Sequence, residues 1–487
     1  MLERRLPVTL WILCLLLCLA WPVGFAASDD KTAQIEALMA KYVALKQFNG
    51  SILVAQNSQI LFQKGYGLAE MEWGIPNAPD TKFRLGSISK QFTSFLILQL
   101  VQEGKITLDA NVADVLPYYR KDTGSKITIR QLLTHTSGLP NYTARPDYRD
   151  KLMRNPFGVE DFVKGYCSGD LEFEPGTKFN YSNSGYFVLG AVIEQLTGKP
   201  YEQVLKERIL DPVGMKDTGY DHSDVILMKR AAGYEKTPGG YVNTPYVDMS
   251  LPYAAGALYS TVGDLYLWDQ ALYSDRLLPA ELKRQMFTPG LGNYAFGWSV
   301  RQLPMGPEKT NRTVTAHGGG INGFSTLISR VTEDRNLVVL LDNTAGGQFL
   351  QPITNGVFDI LYGRVPPNPK KSLSEVLGPI CASQGLEAAI ARYREIKDRE
   401  ADAYDLREAE LNMLGYTLLG QKKFEDAIAV FKLNLEAFPE SANCYDSLAE
   451  GYMAAGQKEL AIKNYAKSLE LNPANRGAVE QLNKLTQ

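Results

Sequence analysis

Strand-forming sequence stands at both ends of a long helical stretch, and this arrangement limits the fold more than any other feature of the chain. Residues 51–54 and 60–62, with Asn57 and Ser58 between them, read as a β-hairpin leading into extended chain up to Trp73. β-Branched and aromatic runs return at residues 294–301, 313–317, 324–330 and 336–341, separated by glycine and asparagine turns. Between the two groups the pattern is mostly helical, at residues 88–103, 128–134, 183–197 and 262–273, with Gly104 and Gly198 as stops. Strands so far apart in sequence bury a common face most simply by joining one sheet. A mixed α/β unit is therefore expected: a discontinuous sheet with a helical insertion, and a cleft between the sheet and the helical part.

Beyond residue 364 the texture changes. Val365-Pro366-Pro367-Asn368-Pro369-Lys370-Lys371 cannot continue a helix or a central strand and reads as a linker over 365–371. After it a repeat appears with a period of 34 residues: Ala427, Phe431, Leu435 and Pro439 recur as Ala461, Tyr465, Leu469 and Pro473, and Leu411 and Leu414 as Tyr445 and Leu448. The spacing resembles the tetratricopeptide repeat, in which small alanines let two helices approach and the proline ends the second. The expected organisation is a leader at 1–26, a first domain at 27–364, the linker, and an all-α domain at 372–487 with repeats at about 405–440 and 441–474. Residues 372–400 are expected to add an earlier helical pair or a packing surface.

The leader follows from Met1-Leu2-Glu3-Arg4-Arg5, an uncharged run over 6–28, and small Gly24, Ala26 and Ala27 near its end, the three parts of a secretory signal peptide. Residues 6–27 are also about long enough to remain as an anchor, against which stand Pro22 and Gly24. Bulky Leu17 before Cys18 weighs against a lipidated cysteine. Cleavage near Ala26 would remove Cys14 and Cys18 and leave Cys167, Cys381 and Cys444, scattered and odd in number, which reads as core filling rather than a disulfide framework. His135, His222 and His317 lie too far apart in sequence to suggest a zinc site. With 51 basic against 54 acidic side chains there is no basic field for nucleic acid, and membrane contact is expected only through an uncleaved leader.

Three short motifs then carry the chemistry. Ser87-Ile88-Ser89-Lys90 puts a hydroxyl and an amine on one face of a helix, at i and i+3. The same pattern at Ser28 and Lys31 shows how little it means alone, and the bland alternative makes Ser87 a helix N-cap with a solvated Lys90. The helix that follows is too apolar for a surface element, which places Ser87 at the mouth of a buried helix. Tyr181-Ser182-Asn183 is no more specific by itself than Tyr241-Val242-Asn243. His317-Gly318-Gly319-Gly320 is a glycine run after a strand, open either to a substrate or to a plain β-turn. His135 reads as organising its loop, and His222 as a surface residue.

Taken in order, Ser87-x-x-Lys90, the segment from Leu132 to Pro140, Tyr181-Ser182-Asn183, the stretch from Ala255 to Leu265, and His317-Gly318-Gly319 resemble the serine β-lactamase-like superfamily, in its class C β-lactamase, D-aminopeptidase and family VIII esterase branch. The resemblance covers roughly residues 31–363. It implies an antiparallel sheet flanked by helices beside a helical subdomain, with Ser87 as nucleophile and Lys90 and Tyr181 as proton carriers. It further implies that Asn183 orients Lys90, that the backbone N–H groups of Ser87 and Gly320 form an oxyanion hole, and that His317, Gly318 and Gly319 line the substrate site. One departure stands out: many relatives carry Lys-Thr-Gly where this chain has His317-Gly318-Gly319, so a permanent cation is missing. Esters, or amides of D-amino acid type without an essential carboxylate, are the expected substrates. A true β-lactamase or D,D-carboxypeptidase, a slowly acylating penicillin-binding protein, and a mainly protein-binding role for the repeats are the alternatives. No cofactor or metal is implied.

Overall fold

The computed structural model describes residues 23–237, 240–345, 349–473 and 475–486, so the leader read at 1–26 lies for the most part outside the described residues, as do Cys14 and Cys18. Helix α1 (Val23–Ala44) already includes its last four positions. Among the described residues no helix is long and apolar enough to cross a membrane. The chain divides after Pro367 into two compact units.

The sheet of the first unit is assembled from both ends of the sequence. Strands β1 (Gly50–Gln56) and β2 (Gln59–Tyr66) form the early hairpin. Asn57 and Ser58 turn it with φ of +52° and +63°, the pair of left-handed residues that a tight two-residue turn requires. After helices α2 (Ser89–Gln102), α3 (Asn183–Thr197) and α4 (Val262–Leu272) come β3 (Ser299–Met305), β4 (Thr310–Ile321), β5 (Phe324–Val331) and β6 (Asn336–Asp342), then helix α5 (Leu350–Leu361). The six strands run antiparallel in the order β3-β4-β5-β6-β1-β2, so the early hairpin docks on the late meander through β6. The fold is the mixed α/β one expected, with the helical insertion between the two halves of its sheet.

Alternation along β1 and β6 divides the sheet between two cores. Ile52, Val54, Val338 and Leu340 join Ile35, Leu38 and Met39 of α1 and Ile353 and Val357 of α5 on one face. Leu53, Ala55, Leu337, Val339 and Leu341 face the other way, onto the larger core that contains α2, α3 and α4. Every residue of β6 is buried, because helices cover both of its faces. On the larger side Trp268 stacks on Phe92 of α2 with ring centroids 4.5 Å apart and donates its indole N–H to Gln91 at 3.0 Å. A buried ion pair, Arg330 with Asp269, ties β5 to α4. Helix α2 is thereby fixed between sheet and helical subdomain, buried at every position from Ser89 to Leu100.

The expected strand at 294–301 begins only at Ser299. Its aromatic residues favour a strand, but Gly297 has a φ of +78°, and a Cβ there would stand 2.9 Å from the Lys90 carbonyl oxygen. Residues 294–298 are instead folded against the start of α2. Cys167, Cys381 and Cys444 are buried free thiols.

The second unit opens with Lys371 and Ser372 paired in parallel with Tyr404 and Asp405, so regular structure starts at the last position of the expected linker. Helices α6 (Leu373–Gln384) and α7 (Leu386–Arg399) form an early pair. Then α8 (Glu408–Gly420) and α9 (Phe424–Ala437) are followed by α10 (Ala442–Ala454) and α11 (Lys458–Leu471), and α12 (Arg476–Thr486) closes the unit. The second pair starts 34 residues after the first at both helices, as the sequence period requires. Ala427, Phe431, Ala461 and Tyr465 are all buried, and Gly415 lets Phe431 in, since a Cβ there would meet the ring at 2.3 Å.

Candidate active site

Ser87 lies in a single 3-10 turn, Gly86–Ile88, that runs directly into α2. Its side chain caps nothing, and Lys90 is 0% exposed, so the capping alternative with a solvated lysine does not hold. Lys90 Nζ is 3.0 Å from Ser87 Oγ, 2.8 Å from Asn183 Oδ1 and 2.8 Å from the Ala255 carbonyl oxygen. All three partners are neutral. A buried ammonium with no carboxylate beside it is costly, and burial pushes the Lys90 pKa well below its ordinary value.

The three distances suit an uncharged Lys90. Two of the partners, Asn183 Oδ1 and the Ala255 carbonyl, can only accept, and on its other side Asn183 Nδ2 donates to Thr143 Oγ1 at 3.2 Å. A neutral amine gives both its protons to these two oxygens and leaves its lone pair for the Ser87 O–H. Asn183 is held at the start of α3 by the Asn141 side chain, which accepts its backbone N–H at 3.1 Å.

Tyr181 arrives from the chain just before α3. Its hydroxyl oxygen is buried and completes no well-formed hydrogen bond, and its ring lies 4.9 Å from Lys90 Nζ. Burial raises the phenol pKa strongly, which the Ser87 hydroxyl beside it offsets only in part, so Tyr181 rests as the protonated phenol. His135 organises this segment: its Nδ1 accepts the Ser182 N–H at 3.2 Å, its carbonyl accepts the Asn180 N–H, and its ring packs at 4.1 Å on that of Tyr181.

The third side is the end of β4. Its pairing with β3 stops at Ala316, while its pairing with β5 continues to Ile321, so one edge of residues 317–321 is free to face the Ser87 turn. The glycine run is therefore strand, and the turn comes after it, at Asn322 and Gly323. The reason for glycine is close backbone approach: a Cβ on Gly319 would stand 1.9 Å from the Leu85 carbonyl oxygen, and one on Gly86 would be 2.9 Å from Gly320 N. Thr326 on β5 fastens the contact by donating to the same Leu85 carbonyl at 2.7 Å. Nothing lies within 4 Å of the Cβ position of Gly320. Ser87, Tyr181, His317, Gly318, Gly319 and Gly320 line one cavity of ≈ 750 Å³, and Ser87, Asn183 and Gly320 line a smaller one of ≈ 220 Å³.

His317 is buried and neutral. Its Nδ1 is 2.6 Å from the Gly318 carbonyl, which can only accept, so Nδ1 carries the proton and Nε2 accepts from the Tyr294 hydroxyl at 2.8 Å. Burial, and secondarily Lys90, lower its pKa from 6.5 to about 4. Between these values the unfolded chain binds the proton that the folded one refuses. The stabilisation is thus complete above pH 6.5 and is lost as pH falls through about 4, amounting to at most about 3 kcal/mol. We expect urea midpoints of the wild type to fall across this interval and those of His317→Gln to fall less; parallel curves would show that His317 is not buried neutral.

The sequence-derived residues Ser87, Lys90, Tyr181, Asn183, His317, Gly318, Gly319 and Gly320 thus lie together. Three groups were missed as contacts. Tyr294 was hidden inside the misread strand, the Ala255 carbonyl has no side-chain signature, and Thr143 sits in a loop with no motif of its own.

The beta-lactamase family profile matches residues 35–356. The chain belongs to the beta-lactamase family. This family member is 30% identical over 332 residues to the putative penicillin-binding protein PbpX of Bacillus subtilis, covering 68% of this chain and 80% of that one. It is 31% identical over 210 residues to the teichoic acid D-alanine hydrolase of Staphylococcus aureus, covering 43% of this chain and 49% of the other. Among solved structures, a D-amino acid amidase from Ochrobactrum anthropi aligns with a TM-score of 0.59 at 25% identity, over 68% of this chain and 97% of the amidase. The protein is accordingly a beta-lactamase-related serine hydrolase.

Proposed function

We propose that this beta-lactamase-family hydrolase cleaves esters, and amides of D-amino acid type, through an acyl-enzyme on Ser87. The observation that carries the reading is the contact of Lys90 Nζ with Ser87 Oγ while its two remaining partners accept only. Lys90 takes the Ser87 proton as Oγ bonds to the acyl carbon. The charge that develops on the acyl oxygen falls between the backbone N–H groups of Ser87 and Gly320, and donors so placed typically contribute on the order of 10²- to 10³-fold each. Tyr181 gives its proton to the departing oxygen or nitrogen and is reprotonated from Lys90. In the second half water attacks the ester, losing its proton by the same route in reverse, and Ser87 is restored.

Substrate preference follows from His317. A neutral imidazole engaged with Tyr294 offers a carboxylate no charge, so an anionic acyl donor gains little from the place where relatives keep a cation. The relatives named for D-alanine and D-amino acid substrates favour a small cationic or neutral acyl group. We expect kcat/KM for p-nitrophenyl esters and D-alanyl amides to exceed that for nitrocefin by roughly 10²-fold or more, the scale of a lost charged contact. A nitrocefin value above the ester value would overturn the preference, and a stoichiometric burst without turnover would move the protein to the slowly acylating class.

Export through the leader at 1–26 is part of the proposal and rests on the sequence pattern alone. The repeat-bearing unit is proposed as an arm for a protein partner. A chain ending before residue 372 is expected to keep its solubility and ester hydrolysis; loss of either would show that the helices serve the hydrolase itself.

A further inference from the structure

The two cavities that meet at Ser87 differ more than three-fold in size, ≈ 750 Å³ against ≈ 220 Å³. Ser87 and Gly320 line both. Tyr181 and His317 are on the wall of the larger one alone, whereas Tyr142, Tyr148, Asn183 and Val247 belong to the smaller. A further hollow of ≈ 480 Å³ also has Tyr181 and His317 on its wall and adds room on that side. This sharing decides which half of a substrate goes where. In the tetrahedral intermediate the acyl carbon holds Ser87 Oγ, the oxygen set between the Ser87 and Gly320 N–H groups, the departing atom and the acyl chain. The departing atom lies toward Tyr181, which gives it a proton, so the leaving group occupies the larger cavity. The acyl chain is left with the smaller one. Water for the second step then enters from the Tyr181 side, through the space that the leaving group has vacated.

The walls of the smaller cavity resist widening. Tyr142 is buried, donates its hydroxyl to the Leu251 carbonyl at 2.8 Å and packs on Phe162 with ring centroids 5.0 Å apart. Val247 is buried in the same core. Asn322, also on the wall, donates to the Pro245 carbonyl at 2.8 Å and so fastens the turn after β4 to the segment that carries Val247. Among the described residues no charged side chain lines this cavity. An engineered apolar cavity of about 150 Å³ takes benzene, six carbon atoms, so ≈ 220 Å³ has room for about nine non-hydrogen atoms and the larger cavity for about thirty.

We propose, resting on the acyl-enzyme reading above, that the hydrolase removes small acyl groups from bulky alcohols or amines, and that Tyr148 and Val247 set the upper limit on the acyl group. Val247 closes the cavity from the core, and Tyr148, half-buried, closes it with a ring from the loop before residue 159. An acyl chain too long for this space cannot simply be turned round. Lodged in the larger cavity, it would hold the departing atom away from the Tyr181 proton, and the substrate would be bound without being cleaved.

The test uses two isomeric esters that differ only in the direction of the ester bond, 4-phenylbutyl acetate and methyl 5-phenylpentanoate, with p-nitrophenyl acetate as the control for activity itself. Rates on the full chain are divided by those in hydroxide, which removes intrinsic reactivity. The acetate is expected to be cleaved with kcat/KM at least roughly ten-fold above that of its isomer, since even one methylene too many for an apolar pocket costs on the order of 10- to 200-fold. Tyr148→Ala and, separately, Val247→Ala should narrow that ratio several-fold. Both esters meet the same folded fraction, so a loss of stability alone leaves the ratio unmoved. Equal cleavage of the isomers, a preference for methyl 5-phenylpentanoate, or a ratio that neither variant moves would overturn the inference, while cleavage of p-nitrophenyl acetate in the same preparation keeps the hydrolase reading in place. No cleavage of p-nitrophenyl acetate would overturn that reading, and the inference with it.

Discussion

Ser87→Ala is expected to abolish turnover of every acyl substrate, lowering kcat by roughly 10⁴- to 10⁶-fold, the range found when a nucleophile acting as part of a unit is removed. Intact mass after treatment with a fluorophosphonate or a penicillin should show one adduct on the wild type and none on the variant. Ser28→Ala, at the other match to the same tetrapeptide, should behave as wild type. The variant should also fold. Ser87 caps no helix and its hydroxyl meets only Lys90 and the Tyr181 phenol, so its removal deletes a partner without opening the core. Losing one neutral hydrogen bond of this kind costs about 1 kcal/mol. A surviving adduct on Ser87→Ala would place the nucleophile elsewhere and remove the basis of the proposed reaction.

How far the sequence revealed this site depended on which part of the chemistry resides in side chains. Ser87 and Lys90 were legible because one helical turn brings i and i+3 together whatever the tertiary fold. Tyr181 and Asn183 were legible only as members of an ordered set, since their distance from Ser87 in sequence says nothing of their distance in space. The glycines at 318–320 were noticed, but their purpose was not. Gly319 is needed because β4 passes so close to Leu85 that any Cβ there would overlap a carbonyl, a fact of tertiary packing, whereas Gly318 and Gly320 have room for a Cβ. Tyr294 was lost for the opposite reason: its neighbours have strong strand propensity, and the positive φ at Gly297 that overrides it is imposed by contact with α2. The sheet itself was foreseeable, because alternating strand sequence at two ends of a helical stretch can bury its apolar face only by meeting. Its strand order was not, because antiparallel pairing of β1 with β6 is one of several registers the pattern allows.

Lys90→Met should be nearly as damaging as loss of the serine, with kcat reduced about 10³- to 10⁵-fold, because a weak nucleophile would then face its substrate with no nearby base. Methionine fills a similar volume, and removal of the amine relieves a buried polar group while leaving Asn183 Oδ1 and the Ala255 carbonyl without a donor, at about 1–3 kcal/mol each. The melting temperature is therefore expected to fall, and the catalytic loss is to be read only below it. Lys90→Arg separates charge from basicity. A guanidinium stays protonated at every accessible pH, so it cannot take the Ser87 proton and should not rescue activity. The pH profile of the wild type supplies the independent check. A free lysine is half deprotonated near about pH 10.4, but burial lowers the Lys90 value well below this. The acid limb of kcat/KM for a neutral ester is accordingly expected to level off well short of that pH, with Tyr181, its phenol pushed up by burial, still protonated across the plateau. A rate that instead climbs steadily through pH 9 and 10 would mean that Lys90 rests as the ammonium, and the proton would then have to leave Ser87 by another route.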